Sequence, residues 1–233
     1  MKYYELTATA YLKEDIAFDH AGQEIGSILN KAMLNVPEMK ELHKKNIFKN
    51  YCFGSFFPIE KDKVYKKGSV YTFKIRSLSR NFATCVKKYI KSVQDTSMTI
   101  LAVEASEKSH RYVSNVYSVT PVVVTLDENK RWTKDEDFSL VFDKLITNLK
   151  KKYNSFYEAD LEVNNAAISR IELMNRKPMI VNYKNVRLLG NKFKIWFNED
   201  EVSQKLAFIA MTCGLGEKNS SAGAGFCMGG QDG

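Results

Sequence analysis

The spacing of apolar residues along this chain changes in an order that few folds accommodate. Tyr4, Leu6, Ala8, Ala10 and Leu12 alternate with Glu5, Thr7 and Thr9, the pattern of a half-buried strand. From Asp19 the period lengthens. Ile25, Ile28, Leu29, Ala32 and Met33 recur at helical spacing behind Asp19 as a candidate cap, and Pro37 ends that helix or begins a short one around Met39 and Leu42. Two extended stretches follow, YCFGSFFPI and SVYTFKIRSL; then Phe82, Val86, Tyr89, Ile90 and Val93 mark a second helix, and SMTILAVEA a further strand. Strand, helix, strand, strand, helix, strand is the ferredoxin-like order.

The second half repeats that order without repeating the sequence. VYSVTPVVVTL reads as a strand, and Phe138, Val141, Phe142, Leu145, Leu149 and Tyr153 form a helical stripe behind a capping box from Thr133 to Glu136. Strands in AAISRIELM and KFKIWFN and a helix over about 200–212 follow. DENKRW reads as a hairpin or loop; it lacks the acidic pattern and central glycine of a calcium loop. The expected fold class is therefore α+β, with two tandem ferredoxin-like domains over residues 1–115 and 116–233.

A hydrophobic fraction of 44% against 27% charged residues is ample for a packed core and too apolar for a disordered chain. Lysine and arginine exceed aspartate and glutamate by 35 to 27, a net charge of +8, which favours a polyanionic partner, nucleic acid first. The four cysteines form no CxxC pair, and His20, His43 and His110 are too scattered for a zinc signature. Buried reduced thiols, no metal and no cofactor are expected. The start, MKYYELTATAYL, alternates and carries Glu5, unlike a signal peptide, and no apolar run approaches a membrane span. A cytoplasmic protein with no membrane partner is the expectation.

Six of the 12 glycines fall in CGLGEKNSSAGAGFCMGG, Cys213 to Gly230, where the last helix must turn into the last strand. Glycine is needed where φ is positive or where another backbone or a ligand comes close. With Lys218, Asn219, Ser220 and Ser221 among them, Gly214, Gly216, Gly223 and Gly225 suggest a loop with exposed N–H groups and side chains that donate to phosphate. A flexible tail is the plainer alternative, opposed by Leu215, Phe226 and Met228, which look like anchors. A nucleotide P-loop is excluded by order: it needs Gly-Lys-Ser/Thr opening a helix after a strand, and here the glycines follow a helix.

GLGEKNSSAGAGF resembles the C-terminal glycine-rich loop of the CRISPR-associated endoribonucleases that cut precursor CRISPR RNA within its repeats, members of the repeat-associated mysterious protein superfamily. The resemblance extends to the tandem ferredoxin-like order, to YSVTPVVV and to LHKKNIFKNYCFGSFF. One departure is visible: Ser221 and Ala222 occupy a gap usually filled by a single residue. What the resemblance implies is metal-independent cleavage by the 2′-hydroxyl beside the scissile phosphate, leaving a 2′,3′-cyclic phosphate. Such a step needs a proton-transfer group that titrates near neutrality and a cation for the phosphorane. By resemblance, His43 takes the first role and Lys49 the second, while Gly214, Gly216, Lys218, Asn219, Ser220, Gly223 and Gly225 hold RNA. Asn30 falls where some members carry a tyrosine, and whether it replaces that group stays open, as no tyrosine lies between Tyr11 and Tyr51. His20 and His110 read as capping or loop residues.

Further RNA grip is expected from Lys150 to Lys152, from Lys87 and Lys88, and from Asn175 to Lys177, although a charge run is usually a solvated helix face. The implied partner is CRISPR repeat RNA, with room for other CRISPR-associated effector subunits and for a homodimer. Two rival readings stay open: a non-catalytic RNA-binding subunit of the same superfamily, and an unrelated ferredoxin-like nucleic-acid binder.

Overall fold

The structure, a computed structural model, describes residues 1–45, 47–110, 112–126, 132, 137–163, 167–184 and 186–230; at His43 and Gly230 only the backbone is described. The first half runs β1 (Lys2–Leu12), β2 (Ile16–Ala17), α1 (Ala21–Met33), α2 (Pro37–Lys44), β3 (Tyr51–Phe53), β4 (Val64–Tyr65), β5 (Val70–Ser77), α3 (Arg80–Tyr89) and β6 (Met98–Ser109). Its main sheet has the order β3-β5-β1-β6, antiparallel throughout. The period-two alternation of β1 sends Leu6, Ala8, Ala10 and Leu12 to one face, where Ile25, Ile28 and Leu29 of α1 and Phe82 and Val86 of α3 cover them. Pro37 occupies the first turn of α2, where its missing N–H costs nothing, and the Ser79 hydroxyl accepts from the Phe82 N–H to start α3.

The second half runs β7 (Asn115–Ser118), α4 (Phe138–Tyr157), β8 (Ile168–Leu173), β9 (Met179–Tyr183), β10 (Val186–Gly190), β11 (Phe193–Phe197), α5 (Glu201–Cys213), α6 (Asn219–Ala222) and β12 (Cys227–Gly230). Its main sheet has the order β12-β7-β11-β8. In both sheets the first and third strands of the motif lie in the middle and the second and fourth at the edges. The protein is thus α+β with two tandem ferredoxin-like folds. No helix among the described residues is long and apolar enough to cross a membrane.

Two expectations change on contact with the structure. The long strand expected in VYSVTPVVVTL is regular only to Ser118, because Pro121 can donate nothing to a ladder; beyond it Val122 and Val123 make single bridges to Asn191 and Glu217. YCFGSFFPI is a strand only to Phe53. The hairpin of β9 and β10 was not anticipated at all, although apolar runs flank Lys184 on both sides. The expected capping box from Thr133 to Glu136 and the loop 127–131 lie outside the described residues; the described cap of α4 is Asp137, whose carboxylate accepts from the Ser139 N–H.

Arg76 of β5 ties the two halves together. It is 3% exposed. Its Nε donates to Glu5 at 2.8 Å, and its Nη1 donates to the carbonyls of Met211 at 3.0 Å and Cys227 at 2.6 Å, in the other half. Its guanidinium lies 4.7 Å from the centre of the Phe226 ring.

Candidate active site

The glycine-rich segment turns its polar groups inward. Contrary to the expectation of exposed N–H groups, Leu215 N–H donates to Gly225 O at 2.8 Å, Glu217 N–H to Val123 O at 2.9 Å, Gly225 N–H to Pro121 O at 2.8 Å and Phe226 N–H to the Thr120 hydroxyl at 2.8 Å. Buried backbone groups must find partners, and this loop finds them in itself and in 120–125. The Glu217 carboxylate accepts from the Thr125 N–H and hydroxyl, stapling the loop to the same stretch. At Gly225, with φ +66°, an added Cβ would stand 1.9 Å from Leu215 O.

Lys152 is the fastener of the loop. Its Nζ donates to Gly214 O at 2.7 Å, Gly216 O at 2.9 Å and Asn219 Oδ1 at 2.7 Å. The Asn219 amide in turn donates to Leu215 O at 2.8 Å and Ala224 O at 2.7 Å. The expected basic run Lys150 to Lys152 is therefore not one surface: successive helical residues diverge, and Lys152 continues the buried stripe of Leu145 and Leu149. That stripe position was the signal in the sequence. Lys150 stays partly exposed opposite Asp160, at 3.7 Å.

A cleft of about 570 Å³ opens above this loop. Lys45, Lys49, Asn50 and Tyr51 line one wall, and Asn148, Lys152, Tyr183, Lys218, Asn219 and Ser220 the other. The Tyr51 hydroxyl joins the walls, donating to Ser220 O at 2.9 Å, and its ring stacks 4.1 Å from Phe82. Burial pushes the Tyr51 phenol well above its ordinary pKa, so it stays a donor. Lys49, two residues earlier, lines the same cleft, and burial lowers its pKa.

Lys218 sits at φ +61°, a left-handed conformation that a lysine adopts at a cost, with its carbonyl accepting from the Ala222 N–H at 2.9 Å. This aims its side chain at the hairpin, with Nζ 5.1 Å from the centre of the Tyr183 ring. Ser221 and Ala222, the departure noted in the sequence, complete the short turn of α6.

Of the residues singled out from the sequence, Lys49, Gly216, Lys218, Asn219 and Ser220 come together on this cleft. Gly214, Gly223 and Gly225 belong to the body of the loop behind it, and Asn30 is not among the described lining residues. His43 lies in the last turn of α2, two residues before the lining residue Lys45. His110, just past the end of β6, stacks on Tyr3 at 5.6 Å, and burial lowers its pKa, with Arg76 adding to the effect. His20 precedes α1 without a side-chain capping bond. Lys87 and Lys88 are exposed at the end of α3; Asn175 is spent on Lys177 O and Asn191, leaving Arg176 and Lys177 exposed. Tyr183, Asn148 and Tyr51 were missed, because nothing in their own segments marks them as cleft residues.

The family model described as "CRISPR associated protein Cas6, C-terminal" matches residues 103–228, over half of the chain. A Methanocaldococcus jannaschii protein described as "CRISPR-associated endoribonuclease Cas6 2" is 28% identical over 233 residues, spanning 92% of this chain and 94% of that protein. Among solved structures, "Characterization of a Cas6-related gene from Pyrococcus furiosus" superimposes with a TM-score of 0.75 at 18% identity, covering 99% of this chain and 100% of the other. "An RAMP protein binding different RNA substrates" gives 0.75 at 16% identity, covering 98% and 100%. At such identities these two structures speak to the fold.

Proposed function

This chain belongs to the family of the CRISPR-associated protein Cas6, and on that premise we propose that it is an endoribonuclease that cuts precursor CRISPR RNA within its repeats to release guide RNAs. The observation that carries the reading is the Tyr51–Ser220 hydrogen bond, which joins the wall that carries Lys49 to the glycine-rich loop across one cleft. The cleft draws lysines from residues on either side of position 115, the division between a 1–115 and a 116–233 domain that this reading adopts.

The reaction needs no metal in this scheme. The 2′-oxygen attacks the adjacent phosphorus and loses its proton; the P–O5′ bond breaks, the 5′-oxygen gains a proton, and a 2′,3′-cyclic phosphate remains. His43 moves a proton, its imidazole being suited to that near neutral pH. Lys49 offsets the charge of the phosphorane, and lowering of its pKa by burial marks a site where water competes less for the phosphate. Lys218 and Ser220 grip the strand. The enzyme works in the cytoplasm on repeat RNA.

The test is incubation of the protein with labelled repeat RNA in EDTA. We expect a product ending in a cyclic phosphate, a rate about a hundredfold lower for His43→Ala, and no product when the nucleotide upstream of the cut is 2′-deoxy. Binding without cutting would favour the second reading, a non-catalytic RNA-binding subunit, for which the asparagine at position 30 of α1 speaks, since an amide supplies no acid.

A further inference from the structure

Lys152 carries a charge into the core, and among the described residues no carboxylate forms an ion pair with it, although the charge of Glu217 acts on it from the loop. Its three N–H groups meet three neutral acceptors, the carbonyls of Gly214 and Gly216 and the amide oxygen of Asn219. The acid of this loop, Glu217, gives its carboxylate to Thr125 instead. Burying an ammonium outside an ion pair costs folding free energy, and no neutral side chain of similar size would incur that cost. The place where the charge is kept is the floor of the cleft, beneath Lys218 and Ser220. Resting on the RNA-processing reading, we propose that Lys152 is a positioning residue of the RNA site: its ammonium gathers the loop so that Lys218 and Ser220 face the strand, and its charge draws a phosphate toward the cleft floor.

Deprotonation would undo both effects, since a neutral amine has two N–H groups for three acceptors. Burial lowers the pKa of Lys152 to about 8, so the charge is present at neutrality and removable under mild conditions. The titratable groups that face it are Cys52 from β3, Cys213 from α5, Cys227 from β12 and Glu217 from the loop. Burial raises the three thiols, Cys213 to about 11, Cys227 to about 12 and Cys52 higher still, so none of them ionises in the same interval. Lys49 shares the cleft and its pKa is also lowered, and it therefore has to be separated by mutation.

The experiment measures the dissociation constant of repeat RNA, made uncleavable by a 2′-deoxy nucleotide, for the wild type, Lys152→Met and Lys49→Gln, from about pH 7 to about pH 9. The wild type should weaken about tenfold over that interval, with a log–log salt slope smaller by about 0.7, the share of one phosphate contact. This limb should persist in Lys49→Gln and vanish in Lys152→Met, which should bind at neutrality as the wild type does in alkali. A folded Lys152→Met protein with the wild-type profile overturns the proposal. If that variant does not fold, Lys49→Gln decides: persistence of the limb supports Lys152, and its loss overturns the proposal. Cutting in EDTA is scored separately. Binding with the limb but no cutting refutes the endoribonuclease and leaves Lys152 in place; cutting with a flat binding profile does the reverse, and no binding at all overturns both.

Discussion

The two halves share one topology and differ in the connection from their second long helix to their last strand. In the first half, residues 90–97 make that crossing with a single tight turn, Ile90–Ser92, and contain no glycine. In the second half the crossing takes residues 214–226 and uses Gly214, Gly216, Gly223 and Gly225. The ferredoxin-like crossing therefore does not itself require glycine. What the second crossing has to do, and the first does not, is lie against its neighbour: an added Cβ at Gly22 of α1 would stand 2.1 Å from Ala222 O, and one at Gly26 2.8 Å from Ser221 O. On that line of contact Gly22 and Gly26 face the turn that ends at Gly223, where an added Cβ would stand 2.6 Å from the Phe53 ring, whereas Gly214, Gly216 and Gly225 let the loop close on itself and on Val122 and Val123.

Breaking that contact should have the largest effect. Arg76→Leu leaves the Glu5 carboxylate without its guanidinium and two carbonyls without a donor, and should cost about 4 kcal/mol in chemical denaturation. Gly225→Ala should cost about 3 kcal/mol, through the clash with Leu215 O and the left-handed backbone, while Thr96→Ala in the plain crossing of the first half should stay within about 0.5 kcal/mol. A near-neutral Gly225→Ala would remove the distinction between the two crossings. Lys49→Ala should slow single-turnover cleavage about a hundredfold with little change in melting temperature; an unchanged rate would detach the wall formed by residues 45–51 from the chemistry.

Two smaller effects sharpen the picture. Glu217→Gln weakens the staple to Thr125 and should cost about 1 kcal/mol, read as faster hydrogen exchange at the Thr125 amide. Burial alone would raise the Glu5 pKa, but the hydrogen bond and charge of Arg76, helped by Lys74, hold it below the ordinary glutamate value. The unfolded chain therefore takes up that proton first as pH falls, so the stabilisation is present above the ordinary glutamate pKa and is lost as pH falls through the lowered value. Glu5→Gln should flatten this part of the acid limb of stability, and an unchanged limb would assign it to other carboxylates.

The strand and helix order was legible because each element buries one face, and burial writes its period into the sequence: β1 and α1 are clear cases. Strand ends were less legible where Pro121 or a single bridge cut the ladder short. The glycine-rich loop could be located, but its direction could not, since Lys218 and Lys152 are the same residue type, one lining the opening and one holding the loop from below. Only the stripe through Leu145 and Leu149 distinguishes them. Tyr51 looks in sequence like any core aromatic of a strand; that its hydroxyl meets Ser220 depends on a partner 169 positions away, which no local pattern encodes.

The notch that Gly22 and Gly26 leave in α1 has a practical consequence. If the polypeptide were severed between its halves and the fragments mixed, the C-terminal piece would lack the surface on which Ser221 and Ala222 rest until it docked. Recovery of activity in such a complementation experiment should therefore follow second-order kinetics, rising with fragment concentration and not with the time each fragment is given to fold alone.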